Sequence, residues 1–229
     1  MLNLKLLLTS SALALALGPA IVSPLSTSPV RGTVPFDAVS MTIEVNATDL
    51  DAGVILFSDT ELRLHQVMIQ DPLGNVVYQM TSSDAVGLGL TEMQSETAEP
   101  DIQTAFLAYP EGDYTFSGQA FDGTMLSSVA HLSHSVPLAP ELTSPADEAR
   151  LNVNNVDVEW TLDSSVDHYW IEIEQDVPPS NFTIDLQPGV HEFRIPPQLL
   201  RRGTEYQIGV GAVGSNGNAT VTVVGIETK

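Results

Sequence analysis

The sequence predicts an all-β protein made of two tandem β-sandwiches that follow an N-terminal secretion signal. Apolar residues recur at every second position in several short runs, which is the spacing of strands that bury one face. Clusters of Gly, Pro, Asn and Asp separate these runs and indicate tight turns. The chain of 229 residues contains no cysteine, so packing and hydrogen bonding must hold the sandwiches without disulfides.

The first 20 residues have the three parts of a signal peptide. Lys5 supplies a basic start, an apolar run follows over residues 6–17, and Gly-Pro-Ala at 18–20 supplies small residues for cleavage. The apolar run is shorter than the roughly 20 residues that a membrane span needs. We therefore expect a secreted mature protein without a membrane span, in the periplasm or outside the cell. The absence of cysteine favours a bacterial source.

Residues 30–139 have the pattern of a first β domain. Apolar residues alternate along 41–45 and again along 62–69, where the phase of the alternation changes at 65–66. Asp-Pro-Leu-Gly-Asn at 71–75 predicts the turn of a hairpin. Further on, a Pro and Gly turn leads into a strand that carries a tyrosine, and Asp-Gly predicts the next reversal.

Three connecting segments of this half have their own signals. Residues 99–107 begin with Glu-Pro-Asp and continue with apolar residues three to four apart, which predicts a short helix. Residues 81–98 are rich in Ser, Thr, Gly and Glu and are predicted to be a mobile loop. Pro-Leu-Ala-Pro at 137–140 predicts a stiff hinge, with the two sandwiches end to end.

Residues 140–229 contain the anchors of a second sandwich. Trp160 ends a run, 156–160, in which every second residue is apolar, so its side chain is predicted to lie in the core. The run 168–174 alternates in the same way and turns Trp170 outward. A Gly and Asn turn then leads into a last strand rich in Val and Thr.

A leucine, a turn glycine, a threonine and a tyrosine follow one another over 199–206, ending in Gly203, Thr204 and Tyr206. Together with Trp160, this order resembles the fibronectin type III domain. The resemblance implies a β-sandwich in which Tyr206 packs under a corner and bonds its hydroxyl to nearby backbone. Arg202 departs from the proline that is usual before the glycine.

The resemblance has a functional limit and a wider context. No Arg-Gly-Asp triplet precedes the last strand, so integrin-type recognition is not implied. The rhythm of residues 30–139 resembles bacterial immunoglobulin-like modules. The layout as a whole, a signal peptide followed by an immunoglobulin-like domain and a fibronectin type III-like domain at 140–229, looks like that of secreted proteins of Gram-negative bacteria.

Charge excludes several classes of partner. The chain has 29 acidic and 8 basic residues, and removing Lys5 with the signal peptide leaves a net charge near −22. Nucleic acid and anionic lipid surfaces are disfavoured as partners, because their phosphates would meet a repulsive field. A carboxylate-rich surface suits saline surroundings, since salt shortens the range of the repulsion.

Asp49, Asp51 and Asp59 are candidate calcium ligands. They place hard oxygen atoms in and near the turn region 46–53, and calcium takes six to eight oxygen ligands. Asp and Asn are also the commonest turn formers, because their side chains bond to their own backbone. The alternative to a calcium site is therefore an ordinary turn, and no other cofactor is expected.

Other candidate chemistry is weaker. His131 and His134 lie three residues apart, and such residues point to opposite faces of a strand, so they are not expected to share a metal. The sequence has no Gly-x-Ser-x-Gly motif and no thiol nucleophile. Asn46, Asn181 and Asn218 match the N-glycosylation pattern, which we expect a bacterial host to leave unused.

Trp170, flanked by Tyr169, is the candidate binding residue. An outward tryptophan is suited to stack on a sugar or to anchor a protein partner. Its alternative role is packing under a neighbouring loop or against the first domain. We thus expect a non-enzymatic binding or spacer module whose partner is a protein or a glycan. The alternatives are an accessory subunit of a cell-envelope assembly and, third, a carbohydrate-active enzyme.

Overall fold

The computed structural model describes residues 32–83 and 88–229. The predicted signal peptide, residues 1–20, lies outside the described residues. The regular secondary structure of the described part is almost entirely strand, and this part forms one compact unit. Its first half contains β1 Ala38–Asn46, β2 Asp51–Gln70, β3 Val76–Thr81, β4 Leu90–Glu96, α1 Ile102–Ala108, β5 Gly112–Ala120 and β6 Met125–Leu132. Its second half contains β7 Leu142–Ser144, β8 Ala149–Leu151, β9 Asp157–Trp160, β10 His168–Asp176, β11 Pro179–Leu186, β12 Glu192–Arg194, a 3-10 turn Pro197–Leu199, β13 Glu205–Val213 and β14 Ala219–Thr228.

One long strand, β2, belongs to both layers of the first sandwich. Its first half pairs with β1 and β4, and its second half pairs with β3 and β5, which in turn pairs with β6. The inward side chains of the two layers form a single hydrophobic cluster that includes Ile43, Leu56, Phe116 and Leu126. We call this half the first module.

The predicted change of phase in β2 is confirmed. The register between β2 and β5 shifts between Leu64 and Gln66, and both Leu64 and Val67 are buried although they are an odd number of residues apart. An extra residue in one strand restores an apolar face after a slip of one position. The predicted hairpin is also present, because Asp71 accepts hydrogen bonds from the backbone of Leu73 and Asn75 and closes the turn.

The short helix is confirmed over Ile102–Ala108. Asp101 caps its N-terminus by accepting a hydrogen bond from the backbone N–H of Thr104 at 3.1 Å. The interpretation of residues 81–98 as a loop is wrong for 90–96, which form β4 and pair with β2. Pairing with a long neighbouring strand outweighs the low β propensity of this Ser, Gln and Glu-rich sequence.

The second half of the chain is a fibronectin type III-like sandwich. Three strands in the order β12-β9-β7 face the strands β11-β10-β13-β14 of the larger sheet. The side chains between the two layers form a second hydrophobic cluster, distinct from that of the first module. This three-on-four arrangement is the sandwich that immunoglobulin-like and fibronectin type III domains share. We call it the second module.

The predicted anchors of the second module lie where the resemblance places them. Trp160 is buried, and its ring centroid is 5.8 Å from that of Tyr169. Gly203 has a φ of +66°, the left-handed conformation that favours glycine, and so forms the turn before β13. The buried Tyr206 accepts a hydrogen bond through its hydroxyl from the backbone N–H of Arg201 at 2.8 Å, which is the predicted corner.

The two modules share backbone hydrogen bonds. The end of β1 pairs in parallel with the start of β14, with Glu44 opposite Ala219 and Asn46 opposite Val221. Hydrogen bonding therefore runs unbroken from β11 to β6, and with the strands that pair at its sides it forms one 11-stranded sheet. Since the two strands overlap only at these ends, the modules follow one another along the strand direction. We call this direct pairing of β1 with β14 the seam. The sequence predicted a hinge between the modules but not this pairing.

Candidate functional site

Trp170 lies on a shelf of glycine backbone. It points outward from β10 and faces Gly211 of β13, and the next outward pair is Glu172 with Gly209. A Cβ atom added to Gly211 would lie 2.0 Å from Cε2 of the indole, so the ring rests directly on the strand. Glycine in a strand permits this close approach, and the aromatic ring covers the exposed backbone. Trp170 is half-buried, which leaves part of the ring accessible.

The neighbours of Trp170 on the other side are polar. Asp185 of β11 is its register partner, and the side-chain amide of Asn181 donates to the Glu172 carboxylate. Thr183, also exposed, lies opposite Glu172. An aromatic plane beside carboxylate, amide and hydroxyl groups can stack on a sugar ring while accepting or donating hydrogen bonds at its rim.

Tyr169 was expected to flank Trp170 at a binding surface, but it is buried. Its side chain is only 2% exposed, and its hydroxyl accepts a hydrogen bond from the backbone N–H of Asp163 at 2.8 Å. Strand alternation turns it into the core against Trp160, so it does not flank Trp170 on the surface. On this face Trp170 is accessible to a partner and Tyr169 is not.

The three candidate calcium ligands are not brought together. Asp49 lies in the turn after β1, whereas Asp51 and Asp59 lie eight residues apart on the continuous strand β2, about 26 Å at roughly 3.3 Å per residue. The Asp49 carboxylate accepts from the amide of Asn46, and the Asn46 carbonyl accepts from the backbone of Thr48 and Asp49. These bonds are those of the turn predicted as the alternative.

Asp51 has a buried carboxylate oxygen. One of its carboxylate oxygens is buried without a hydrogen-bond partner among the described residues. Within residues 32–83 and 88–229, no group of three or more His, Asp or Glu side chains has the geometry to hold a metal ion. Asp51 is thus a lone buried acceptor beside the seam.

The histidines also lie apart. His131 contacts Asp113 on the exposed face of β5 and β6, with Nδ1 and Oδ1 2.8 Å apart. The His134 ring stacks on Phe106 with centroids 4.1 Å apart, and its Nε2 is 2.8 Å from the carbonyl oxygen of Tyr109. His134 therefore fastens α1 to the end of the first module, and the two rings do not converge.

Asn218 is the centre of the seam. Its side chain, 2% exposed, accepts from the backbone N–H of Ile43 at 2.9 Å and donates to the carbonyl oxygens of Ser133 and Ser135 at 2.7 and 2.9 Å. One amide thus bonds to β1 and to the segment that joins the modules. The sequence indicated Asn218 only as a turn residue and a glycosylation match, and its burial makes it inaccessible to a glycan.

The connecting segment is bound along β14. The hydroxyl of Thr220 donates to the carbonyl oxygen of Pro137 at 2.7 Å, and that of Thr222 donates to the carbonyl oxygen of Pro140 at 2.8 Å. On β1's side, the backbone N–H of Ala47 donates to the carbonyl oxygen of Val221 at 2.9 Å. The predicted hinge residues are therefore held by side chains of the second module.

Carboxylates gather beside the seam around Gly53. A Cβ atom on Gly53 would lie 2.9 Å from Oε1 of Glu96 and 3.3 Å from Cγ of Glu99. Gly53 is the register partner of Glu44 on β1. Burial, and then the charges of Glu96, Glu172 and Glu99, raise the pKa of Glu44 from 4.5 to about 7. Burial also raises the pKa of Glu99, with Glu96, Asp51 and Asp49 adding to the effect.

The two outer faces of the first module differ in charge. The face formed by β1, the first half of β2 and β4 carries Glu44, Asp59, Glu92 and Glu96. The face formed by β3, the second half of β2, β5 and β6 carries one carboxylate within these strands, Asp113 at its end beside His131, and we call it the neutral face. Its other outward side chains include Gln66, Met68, Gln70, Val76, Gln79, Thr81, Thr115, Ser117, Gln119, Met125, Ser127 and Val129.

Two grooves lie elsewhere in the second module. The larger, about 740 Å³, is lined by five carboxylates, those of Glu148, Glu174, Asp176, Glu205 and Glu227. The smaller, about 420 Å³, lies between the connecting segment and the loop after β9 and includes Leu138 and Leu162. Neither groove brings a histidine together with a hydroxyl nucleophile, so neither has the groups of a hydrolytic triad.

No protein-family model and no curated protein matches this sequence. Among solved structures, it is similar to the FN1–FN3 domains of chicken CNTN1, with 11% identity over 85% of this chain and 65% of that one, at a TM-score of 0.32. It is also similar to the fibronectin(III)-like modules of Clostridium thermocellum CbhA, with 12% identity, coverage of 88% and 93%, and a TM-score of 0.31.

A two-domain fibronectin type III segment of chicken tenascin gives 11% identity, coverage of 83% and 98%, and a TM-score of 0.31. Identities this low relate folds and not functions, and the sandwich assignment rests on the strand order described above. In the described part of the chain, no helix has the length and apolar character needed to cross a membrane.

Proposed function

We propose that this chain is a non-enzymatic binding and spacer module, placed outside the cytoplasm, that holds two sandwiches in fixed register and presents the Trp170 face to a protein or glycan. The observation that carries the proposal is the seam. Linked domains usually move relative to one another unless their interface is large and apolar. Here backbone pairing and the buried Asn218 replace such an interface.

The spacer role follows from how many independent bonds cross the seam. β1 is fastened to β14 by backbone pairing and to Asn218 by its Ile43 N–H. The turn after β1 is fastened by the hydroxyl of Thr48, which accepts from the Val223 N–H at 2.8 Å. The connecting segment is fastened separately by Thr220 and Thr222. Rotation of one module against the other would break all of them together.

The binding role follows from the position of Trp170. A large aromatic side chain with one side on rigid backbone loses little conformational freedom when a partner covers the other side. The acidic groups around it and the net charge of the chain disfavour anionic ligands, so a neutral glycan or a cationic or neutral protein surface is the expected partner.

The spacer role is tested by the tumbling of the two modules. ¹⁵N relaxation of the mature protein should give one rotational correlation time for both modules. Asn218→Ala removes three hydrogen bonds and should give each module its own, faster tumbling, whereas Asn154→Ala in an exposed turn should not. Separate correlation times in the wild-type protein would refute the spacer role.

The binding role is tested by capture. Tagged mature protein and its Trp170→Ala variant are exposed to cell envelope and medium at native salt, and bound protein and polysaccharide are analysed. We expect a partner that the variant fails to retain. Equal retention by both proteins would exclude the Trp170 face as the contact.

The accessory-subunit alternative is favoured by the neutral face. The cores of protein interfaces are depleted in charged residues, and on this side of a strongly acidic module Asp113 at the end is the one carboxylate within the described strands. Val129→Glu would add a charge to this face, and Gln94→Glu adds the same charge on the acidic face as a control. Loss of a protein partner with the first variant alone would support an assembly role over a solitary spacer.

A further inference from the structure

Glu44 is the one carboxylate of the seam that is placed between the two modules. It stands in the parallel pairing itself, opposite Ala219 of the second module and Gly53 of the first. It is half-buried, and charges from both sides act on it. Two come from the first module, Glu96 on β4 and Glu99 before α1, and one from the second, Glu172 on β10.

Every charged group that shifts the pKa of Glu44 is acidic. An ionised Glu44 would thus be repelled by carboxylates on both sides of the joint, in a site that burial deprives of water. A protonated Glu44 removes the repulsion and can donate a hydrogen bond. Opening the seam would hydrate Glu44 and take it away from Glu172, so ionisation favours the open form.

We propose that ionisation of Glu44 weakens the pairing of β1 with β14, so that the joint between the modules loosens as the pH rises past neutral. The two modules are then held in fixed register under mildly acidic conditions and gain freedom under alkaline ones. The inference rests on the seam being the joint proposed above, and it is independent of what Trp170 binds.

The direction follows from proton linkage. The pKa of Glu44 in the closed form, about 7, lies above its ordinary 4.5. The stabilisation is therefore lost as the pH rises through about 7. Glu96 and Glu99 stay near Glu44 when the seam opens, so only the contribution of the second module changes. We expect a change in the closed-to-open ratio on the order of tenfold, as for a pKa difference of about one unit.

Amide hydrogen exchange at the seam tests the proposal. The N–H of Ala47 donates to Val221 across the joint, and its protection factor, corrected for intrinsic exchange, reports closure. At constant ionic strength, protection in the wild-type protein should fall on the order of tenfold between pH 5.5 and pH 8. Glu44→Gln, which mimics the protonated acid, should keep protection high at both pH values.

Two further variants make the result decisive. Glu92→Gln changes an exposed carboxylate of β4 and should retain the wild-type pH dependence. Glu172→Gln removes only the repulsion that comes from the second module and should reduce the pH dependence of protection. This variant tests the proposal even if Glu44→Gln does not fold. A flat profile in the wild type, or an equal fall in Glu44→Gln, would overturn the proposal. Separate correlation times of the two modules in the wild-type protein would instead refute the spacer role.

Discussion

Tyr206 and Tyr114 close a corner of their modules in similar ways. Tyr206 accepts from the Arg201 N–H, five residues earlier, and Tyr114 donates to the carbonyl oxygen of Pro110 at 3.0 Å, four residues earlier. Both rings are buried. A buried hydroxyl needs a partner, and here the partner is the loop that leads into the tyrosine's own strand. Each tyrosine thereby holds the loop before its own strand against the hydrophobic core.

Removing the hydroxyl of Tyr206 should destabilise the second module. Tyr206→Phe keeps the ring but removes the acceptor of the Arg201 N–H in a part-buried hydrogen bond. We therefore expect the free energy of unfolding to fall by about 1–3 kcal/mol. Urea denaturation measures the loss. Tyr78→Phe on β3, where the ring is half-buried, serves as control and should change stability less. Equal effects would show that the corner bond contributes nothing of its own.

At this scale the sequence predicted residues whose roles are local. Tyr206 and Gly203 belong to one short run, and Trp160 to one alternating strand, so their positions follow from neighbours in the chain. Asn218 and Glu44 acquire their roles from residues far away, 175 positions apart in the bond between Asn218 and Ile43. No local pattern distinguishes Asn218 from the other Asn residues of turns.

Strands β10 and β13 show how a small residue on one element positions a large one on the next. Gly209 and Gly211 lie side by side with the outward residues of β10, but only Gly211 lies beneath the Trp170 ring. At Gly209, an added Cβ would meet Val221 Cγ2 at 3.3 Å and Trp170 Cζ3 at 3.6 Å. The shelf is therefore specific to one position of the strand.

The two glycines make a matched test of this arrangement. Gly211→Ala places a methyl group where the indole lies, so Trp170 must move outward, and we expect a loss of about 1–3 kcal/mol together with a red shift of tryptophan fluorescence. Gly209→Ala needs only a small movement of Val221 and should stay within about 1 kcal/mol of the wild type. Unchanged fluorescence in Gly211→Ala would show that the ring does not rest on β13.

The elements that the sequence could not predict lack a periodic pattern. β4 contains Leu90 and Met93 as its apolar residues, three apart, so no alternation marks it as a strand. β7, β8 and β12 are three residues long, too short to show a period. All four are defined by the strands beside them, whereas β1, β10 and β13 carry their own alternation and were predictable.

Over the whole molecule, charge is distributed unevenly although it is strongly negative in sum. Carboxylates gather beside the seam and in the larger groove of the second module, while the described strands of the neutral face carry one carboxylate, Asp113 at its end. The seam is thus built where repulsion is strong, and backbone pairing and Asn218 hold it against that repulsion. The joint between the modules should therefore be more sensitive to solution conditions than either hydrophobic core.

Salt should stabilise this molecule more than it stabilises a neutral protein of the same size. With 29 acidic residues against 8 basic ones, self-repulsion opposes the compact state. The screening length falls from about 10 Å at 0.1 M to about 3 Å at 1 M salt, so the thermal midpoint should rise between these limits by about 2–4 °C for each kcal/mol of repulsion removed.

Sodium chloride and sodium perchlorate at equal ionic strength separate screening from salting-out, because both screen while perchlorate is not excluded from protein surfaces. A rise of the thermal midpoint in both salts would support repulsion between carboxylates as its source. A midpoint that is flat in both salts would mean that the carboxylates lie too far apart, or too well hydrated, to oppose folding.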